Sequence, residues 1–141
     1  MGLRSEKSQD KAVLPLRGKV SLITGSTSGI GLGIAHALAA SGSDVVLNGF
    51  GEPKDIEAAQ TDITRKFGVR TSYSGADMSD PDSISKMFDA VIDQFGAVDV
   101  LVNNAGIQHV APLPEFPVEK WDAIIAINLS SAFHTARRAL P

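Results

Sequence analysis

The stretch TGSTSGIG, at residues 24–31, follows a short apolar run and precedes a stretch in which apolar residues recur at helical spacing. Gly25 permits a tight turn at the end of a strand, Gly29 lets backbone approach a ligand, and Gly31 lets a helix pack closely on a sheet. A helix that begins here presents free N–H groups and a partial positive charge. The stretch therefore predicts a site for the pyrophosphate of a dinucleotide.

The spacing of these glycines departs from the standard dinucleotide fingerprint, because it reads G-x-x-x-G-x-G instead of G-x-G-x-x-G. Its placement still supports the same interpretation, since it lies between a predicted strand and a predicted helix. The chain contains no Gly-Lys-Ser/Thr sequence, which excludes a Walker phosphate loop. The alternative is a turn whose glycines serve packing alone.

Apolar runs alternate with helical patterns along the rest of the chain, which is typical of parallel βαβ units. The apolar run at the fourth predicted strand has the strongest pattern of a buried strand. The predicted fold class is α/β, the N-terminal part of a Rossmann-type doubly wound parallel sheet with about four strands. We expect strands at residues 19–24, 44–48, 69–74 and 98–102, and helices at residues 29–41, 53–67, 81–95 and 118–140.

Two segments are predicted along the chain. Residues 1–17 are polar and predict a flexible N-terminal extension, and residues 18–141 predict one domain. The sequence ends where a further strand should follow, so the predicted sheet has an uncovered edge. We therefore expect this chain to be the N-terminal portion of a longer protein.

The composition excludes several classes of function. The net charge of −3 and the mixed distribution of charges do not indicate a basic surface that would bind nucleic acid or an anionic membrane. The chain has no cysteine, so disulfides and cysteine nucleophiles are excluded, and its three histidines form no metal-binding pattern. No apolar run is long enough to cross a bilayer, and the N-terminal segment lacks a signal-peptide core. We expect a cytoplasmic protein with neither a nucleic-acid nor a membrane partner.

Polar residues follow the third and fourth predicted strands, at the sheet edge where ligands of such folds collect. Asp77 could accept a hydrogen bond from an adenine amino group or could cap a turn. Asn103 is interpreted as a bracing residue, whereas Asn104 and the adjoining Gly106 favour contact with a cofactor. Asn128 interrupts an apolar helical run, and its amide is either a structural contact or a catalytic relay.

The end of the second strand bears on which dinucleotide is bound. An acid there usually binds the adenosine ribose, and a base there usually accommodates a 2′-phosphate. The sequence has neither, since Asn48 is followed by Gly49, Phe50 and Gly51. A 2′-phosphate would lack its usual partner, so NAD is favoured over NADP.

Taken together, the glycine stretch, Asp77, the Asn103-Asn104-Ala105-Gly106 sequence and Asn128 resemble the short-chain dehydrogenase/reductase family. The resemblance runs from about residue 16 to the end of the chain. It implies a Rossmann-type fold and NAD as cofactor. The cofactor-binding residues that it implies are Gly25, Thr27, Ser28, Gly29, Ile30, Gly31, Phe50, Asp77, Met78, Asn104, Ala105 and Gly106.

The resemblance also implies a chemistry. It implies a small hydroxy or keto acid as substrate, Gln108 as a contact to the substrate carboxylate, and a homotetramer for the full-length form. Asn128 would be a catalytic residue that holds a water behind the catalytic lysine. Open alternatives are a family member that reduces 3-oxoacyl or sugar-alcohol substrates, and a non-catalytic dinucleotide-binding module.

One departure from the family is large. The family's proton transfer is performed by a Ser and a Tyr-x-x-x-Lys motif beyond the fourth strand. The only tyrosine here is Tyr73, and the residue four positions later is Asp77. We therefore expect the chain as it stands to lack its acid/base and to be inactive as an enzyme.

Overall fold

The computed structural model describes residues 13–141, and residues 1–12 of the predicted extension lie outside the described part. A 3₁₀ turn, Leu113–Glu115, follows the fourth strand. The elements up to that turn alternate as β1 (Val20–Ile23), α1 (Gly29–Ala40), β2 (Asp44–Asn48), α2 (Pro53–Phe67), β3 (Thr71–Ser74), α3 (Pro81–Phe95) and β4 (Val100–Val102). The last part of the chain forms α4 (Val118–Ile125), a π-helical turn (Ala126–Ser130) and α5 (Ser131–Ala139).

The four strands form one parallel sheet in the order β3-β2-β1-β4. Leu22 of β1 lies opposite Val46 of β2 on one side and opposite Leu101 of β4 on the other. The chain proceeds outward from β1 to β3 and then crosses over to place β4 on the other side of β1. That reversal creates a crevice at the carboxyl ends of β1 and β4, and the predicted α/β fold is confirmed.

Both faces of the sheet are covered by helices, which explains why residues 45–47 in the middle of β2 are all apolar. On one face, Leu22 and Val46 pack with residues of α3, including the fully buried Phe88. On the other face, Ile23 and Leu47 pack with residues of α1 and α2. Side chains of successive β2 residues enter opposite cores, as parallel sheets require.

The fourth strand differs from the prediction. It spans only residues 100–102, and its side chains are half-buried instead of buried. Within residues 13–141, β4 pairs with β1 alone and so forms an edge of the sheet. Its apolar pattern indicated a strand correctly, but burial depends on a neighbour that the described residues do not provide.

The prediction of one continuous helix at residues 118–140 is also wrong, because the helix is interrupted in its middle. A π-helical turn separates α4 from α5, and Asn128 lies within that turn. The Ser131 hydroxyl donates to the Ile127 carbonyl at 2.5 Å. An amide is a poor occupant of an α-helix interior, and the wider turn frees Asn128 to bind a distant segment.

The part of the predicted extension that the structure describes contacts the domain. The backbone N–H of Leu16 donates to the Ser41 carbonyl at 2.9 Å, just beyond the end of α1. Gly42 lies close enough that a Cβ there would be 2.9 Å from the Cβ of Leu14. Within the described residues, no helix combines the length and the apolar character needed to cross a bilayer.

Candidate functional site

A cavity of about 260 Å³ opens at the carboxyl ends of the strands, where the crevice of the fold lies. Loops that follow all four strands contribute to it. None of the residues that line it carries a charge. They are Gly25, Thr27, Ser28, Asn48, Gly49, Phe50, Ala76, Met78, Ala105, Gly106, Ile107 and Ile127.

Gly25, at the start of the glycine stretch, is held from both sides by amide side chains. Its N–H donates to Asn48 Oδ1 at 3.2 Å, and its carbonyl accepts from Asn104 Nδ2 at 2.9 Å. The φ angle of Gly25 is +62°, and a Cβ there would lie 2.8 Å from the Cα of Ala105. Only glycine fits, because both the conformation and the space exclude a side chain.

Asn48 is fully buried and joins three loops. Besides accepting from Gly25, its Nδ2 donates to the carbonyls of Ser74 at 3.1 Å and Ala76 at 3.2 Å. Its backbone N–H donates to Ser26 Oγ at 3.0 Å, and its carbonyl accepts from the Ser26 N–H at 2.6 Å. Both amide N–H groups thus have acceptors, as a buried amide needs.

The loop after β4 is joined to the end of β1 by Thr24. The Thr24 hydroxyl oxygen accepts from the backbone N–H groups of Asn104 at 3.0 Å and Ala105 at 2.9 Å. Asn104 Nδ2 also donates to the Thr24 carbonyl at 3.2 Å. The two amide hydrogens of Asn104 are therefore directed to the glycine loop, which makes this side chain a brace of the predicted site.

The N-terminus of α1 lies at the cavity without a side-chain cap. Ser28 occupies the N-cap position with extended backbone but makes no side-chain capping bond, and the first turn of α1 contains no acidic residue. Ser28 lines the cavity. Gly31 packs this helix against the loop so closely that a Cβ would lie 2.2 Å from the Gly25 carbonyl oxygen. The first N–H groups of the helix thus retain their capacity to bind an anion.

Asp77 forms a capped turn beside the cavity. Its Oδ1 accepts from the Ser79 hydroxyl at 2.7 Å and from the Ser79 N–H at 2.9 Å. These two hydrogen bonds, the hydroxyl bond above all, hold the pKa of the Asp77 carboxyl below its ordinary value. The side chain is exposed and is not part of the cavity lining, whereas the neighbouring Met78 is buried and lines it.

Asn128 fixes the loop after β4 at a second point. Its Oδ1 accepts from the Ile107 N–H and its Nδ2 donates to the Ile107 carbonyl, both at 2.8 Å. Asn103 Oδ1 accepts from the Thr135 hydroxyl at 2.5 Å, which ties the end of β4 to α5. The contacts of Asn128 are those of a structural residue, and its relay role stays a prediction.

The structure brings most of the predicted cofactor residues to the cavity and leaves some outside it. Gln108 is exposed, and neither it nor Asn128 lines the cavity. The predicted residues in the lining are Gly25, Thr27, Ser28, Phe50, Met78, Ala105 and Gly106. Those outside the lining are Gly29, Ile30, Gly31, Asp77 and Asn104.

Sequence reasoning missed the two polar residues that end β1 and β2. No loop contacts are predicted from the sequence for Thr24, within the glycine stretch, or for Asn48, at the end of a strand, yet both are almost fully buried and organise the loops. A signal was present, because each polar side chain directly follows an apolar run. A buried polar residue in that position must have partners, and the nearest ones are the loops that carry the site.

The parallel order of the strands and the crevice with its glycine loop define a doubly wound α/β domain of the dinucleotide-binding class. Residues 19–141 match the sequence profile of the short chain dehydrogenase family. The chain belongs to this family.

Several relatives agree with that assignment. The chain is 58% identical over 127 residues to D-beta-hydroxybutyrate dehydrogenase of Cupriavidus necator, and the match covers 89% of the chain and 48% of that relative. It is 50% identical to the D-beta-hydroxybutyrate dehydrogenase of Rhizobium meliloti, and the match covers 87% of the chain and 48% of that relative. The chain thus spans about half the length of these curated relatives.

The fold is likewise that of solved family structures. L-sorbose reductase from Gluconobacter frateurii, complexed with NADPH and L-sorbose, superposes with a TM-score of 0.85 at 34% identity. The superposition covers 92% of the chain and 49% of the reductase.

Replacing Ser79 by Ala is expected to raise the pKa of the Asp77 carboxyl towards its ordinary value, because the hydroxyl bond that favours the carboxylate is lost. A carboxyl with a lowered pKa contributes stability above its unfolded-state pKa and loses it as the pH falls through the folded-state value. In the variant the folded-state pKa lies nearer the unfolded-state value, so the stability contribution is smaller and its loss is complete at a higher pH. Carbon-13 NMR titration of the carboxyl group measures the shift.

The matched control is Ser83→Ala. The Ser83 hydroxyl accepts from the backbone N–H of Asp77 at 2.9 Å and is not among the bonds to its carboxylate. The pKa of Asp77 should therefore stay low in this variant. Equal titration curves for the wild type and Ser79→Ala would show that the Ser79 hydroxyl does not set the pKa.

Proposed function

We propose that the cavity binds a nicotinamide dinucleotide with its pyrophosphate at the N-terminus of α1. One observation carries this proposal: α1 begins at the cavity with an uncapped N-terminus and the free hydroxyl of Ser28. The other helices that begin near the sheet edge differ, since α3 has its N-terminus capped by Asp80, and α2 has Asp55 in its first turn. A helix N-terminus without a counter-charge favours an anionic group.

The dinucleotide that the lining favours is NAD. A 2′-phosphate needs a cation, and none of the described residues that line the cavity is basic. At the end of β2, the amide of Asn48 is committed to backbone groups, and Phe50 presents an apolar ring. The alternative is NADP, since the structure of the related L-sorbose reductase holds NADPH.

The reaction that the proposal assigns to the full-length form is hydride transfer between NAD and (R)-3-hydroxybutyrate, which yields acetoacetate. The relatives at 58% and 50% identity, both named D-beta-hydroxybutyrate dehydrogenase, support this substrate. In this proposal Gln108 contacts the substrate carboxylate, and Asn128 shapes the site through Ile107. Tyr73 is not the acid/base, because its hydroxyl donates to the Gly49 carbonyl.

Substituting Ser28 by Asp and by Asn tests where the pyrophosphate binds. Both side chains are good N-caps, so both variants should fold at least as stably as the wild type. Only Asp adds a negative charge beside the pyrophosphate. The Asp variant should bind NADH about tenfold or more weakly than the Asn variant at low salt. Fluorescence titration with NADH measures the difference, and urea unfolding checks the fold.

Salt provides the control for this comparison. The difference between the Asp and Asn variants should narrow as ionic strength rises, because it is a charge effect at an accessible site. Equal affinities of the two variants at low salt would place the pyrophosphate elsewhere. Tighter binding of NADPH than of NADH by the wild-type chain would overturn the preference for NAD.

A chimera tests the substrate. The residues of this chain that match the Cupriavidus necator relative replace their counterparts in that protein, and formation of NADH from NAD and (R)-3-hydroxybutyrate is followed. We expect an active chimera, and we expect Gln108→Ala to raise the KM for hydroxybutyrate while the KM for NAD stays unchanged. A chimera that binds NADH but does not turn over would favour a non-catalytic dinucleotide-binding module.

A further inference from the structure

The loop between β2 and α2 is fixed by two hydroxyl groups that come from different parts of the chain. Tyr73, on β3, donates its hydroxyl hydrogen to the carbonyl of Gly49. Thr27, in the glycine loop, donates to the carbonyl of Phe50 at 2.8 Å. Because a peptide unit is planar, two held carbonyls fix two successive peptide planes. The backbone on both sides of Phe50 is therefore set from outside the loop.

Two glycines make room for these hydroxyl groups. Gly49 has a φ of +145°, and a Cβ there would lie 2.8 Å from Thr27 Oγ1. At Gly75, a Cβ would lie 3.1 Å from the Tyr73 hydroxyl oxygen. A larger residue at position 49 would displace the Thr27 hydroxyl, and one at position 75 would displace the Tyr73 hydroxyl. Each of the two hydrogen bonds therefore depends on a glycine.

The ring that this arrangement places is exposed. Phe50 lines the cavity, yet 72% of its surface is accessible to solvent. Its position therefore owes little to packing of the ring and depends on the backbone that carries it. A flat apolar ring at the rim of a cavity gains free energy when a ligand with a flat apolar face covers it. Both base rings of a dinucleotide have such a face, and the end of β2, which Phe50 follows, is where the adenosine half binds in folds of this class.

We propose that Tyr73 is a positioning residue for the adenosine half of the dinucleotide. Its hydroxyl holds Gly49 so that the ring of Phe50 lies against the adenosine, and Tyr73 itself does not touch the ligand. Its own ring is anchored among the core residues on the α1 and α2 face of the sheet. This inference rests on the proposed binding of a dinucleotide in the cavity.

The test is Tyr73→Phe, which removes the hydroxyl and keeps the ring. Loss of one hydrogen bond that orders the loop should weaken binding of NADH and of ADP-ribose by about threefold to tenfold. Reduced nicotinamide mononucleotide lacks adenosine, so its binding should stay unchanged. Isothermal titration of the 141-residue chain with each of the three ligands measures the affinities.

Thr64→Val is the matched control. It removes the hydroxyl contact between Thr64 of α2 and Thr71 of β3, whose oxygen atoms are 3.2 Å apart. Thr71 lies on the same strand as Tyr73. The substitution should leave all three affinities unchanged. If Tyr73→Phe weakens the mononucleotide as much as ADP-ribose, Tyr73 has only a general structural role and the proposal is wrong.

A double-mutant cycle with Phe50→Ala separates positioning from stability. If Tyr73 acts through Phe50, Tyr73→Phe should change the affinity for ADP-ribose little once the Phe50 ring is gone. Additive effects of the two substitutions would overturn the proposal. If the wild-type chain and the Tyr73→Phe variant bind NADH equally well, the positioning role of Tyr73 is wrong and the proposed function stands. If the wild-type chain binds no NADH, the proposed function is wrong as well.

A second measurement covers the case in which Tyr73→Phe does not fold. Tyr73 is the only tyrosine, so growth on 3-fluorotyrosine places a single fluorine label at this position. Its fluorine NMR signal should shift when ADP-ribose binds and stay in place with the mononucleotide. A shift with the mononucleotide as large as the shift with ADP-ribose would contradict the proposal.

Discussion

The two hydrogen bonds to the peptide groups of Gly25 are the constraint on which the site depends. Asn48 accepts from its N–H and Asn104 donates to its carbonyl, so the glycine is held between the loops that follow β2 and β4. Through Asn48, the same contact extends to the carbonyls of Ser74 and Ala76 after β3. One chain of amide contacts, with the buried Asn48 at its centre, thus joins the loops that follow all four strands at the carboxyl edge of the sheet.

This arrangement explains why the site can be polar without being charged. The loops are held by neutral amides and hydroxyls, so the open end of α1 provides the main positive potential of the lining. The same commitment of Asn48 explains the missing acid at the end of β2. A carboxylate at position 48 could not donate to the two carbonyls that Asn48 Nδ2 holds.

Local signals made most of the fold predictable, and long-range contacts account for the rest. The bounds of β2, α2 and α3 follow from apolar runs with prolines at helix starts and glycines after helix ends. The π-helical turn depends on Asn128 meeting Ile107, which lies 21 residues away. The half-buried state of β4 depends on its place at a sheet edge. Residue spacing in the sequence predicts neither the π-helical turn nor the half-buried state of β4. It also does not predict the hydrogen bond between Gly25 and Asn48.

Replacing Asn48 by Asp tests this account most directly, because the side chain keeps its shape and loses both donors. The free energy of unfolding in urea should fall by about 2–4 kcal/mol at neutral pH, since a buried carboxylate would face two carbonyl oxygens. Burial raises the pKa of such a carboxyl, so the deficit should shrink at mildly acidic pH, where the group is protonated. Asn103→Asp, exposed and still able to accept from Thr135, should change stability little. Equal stability of the Asn48 and Asn103 variants at neutral pH would contradict the central role of Asn48.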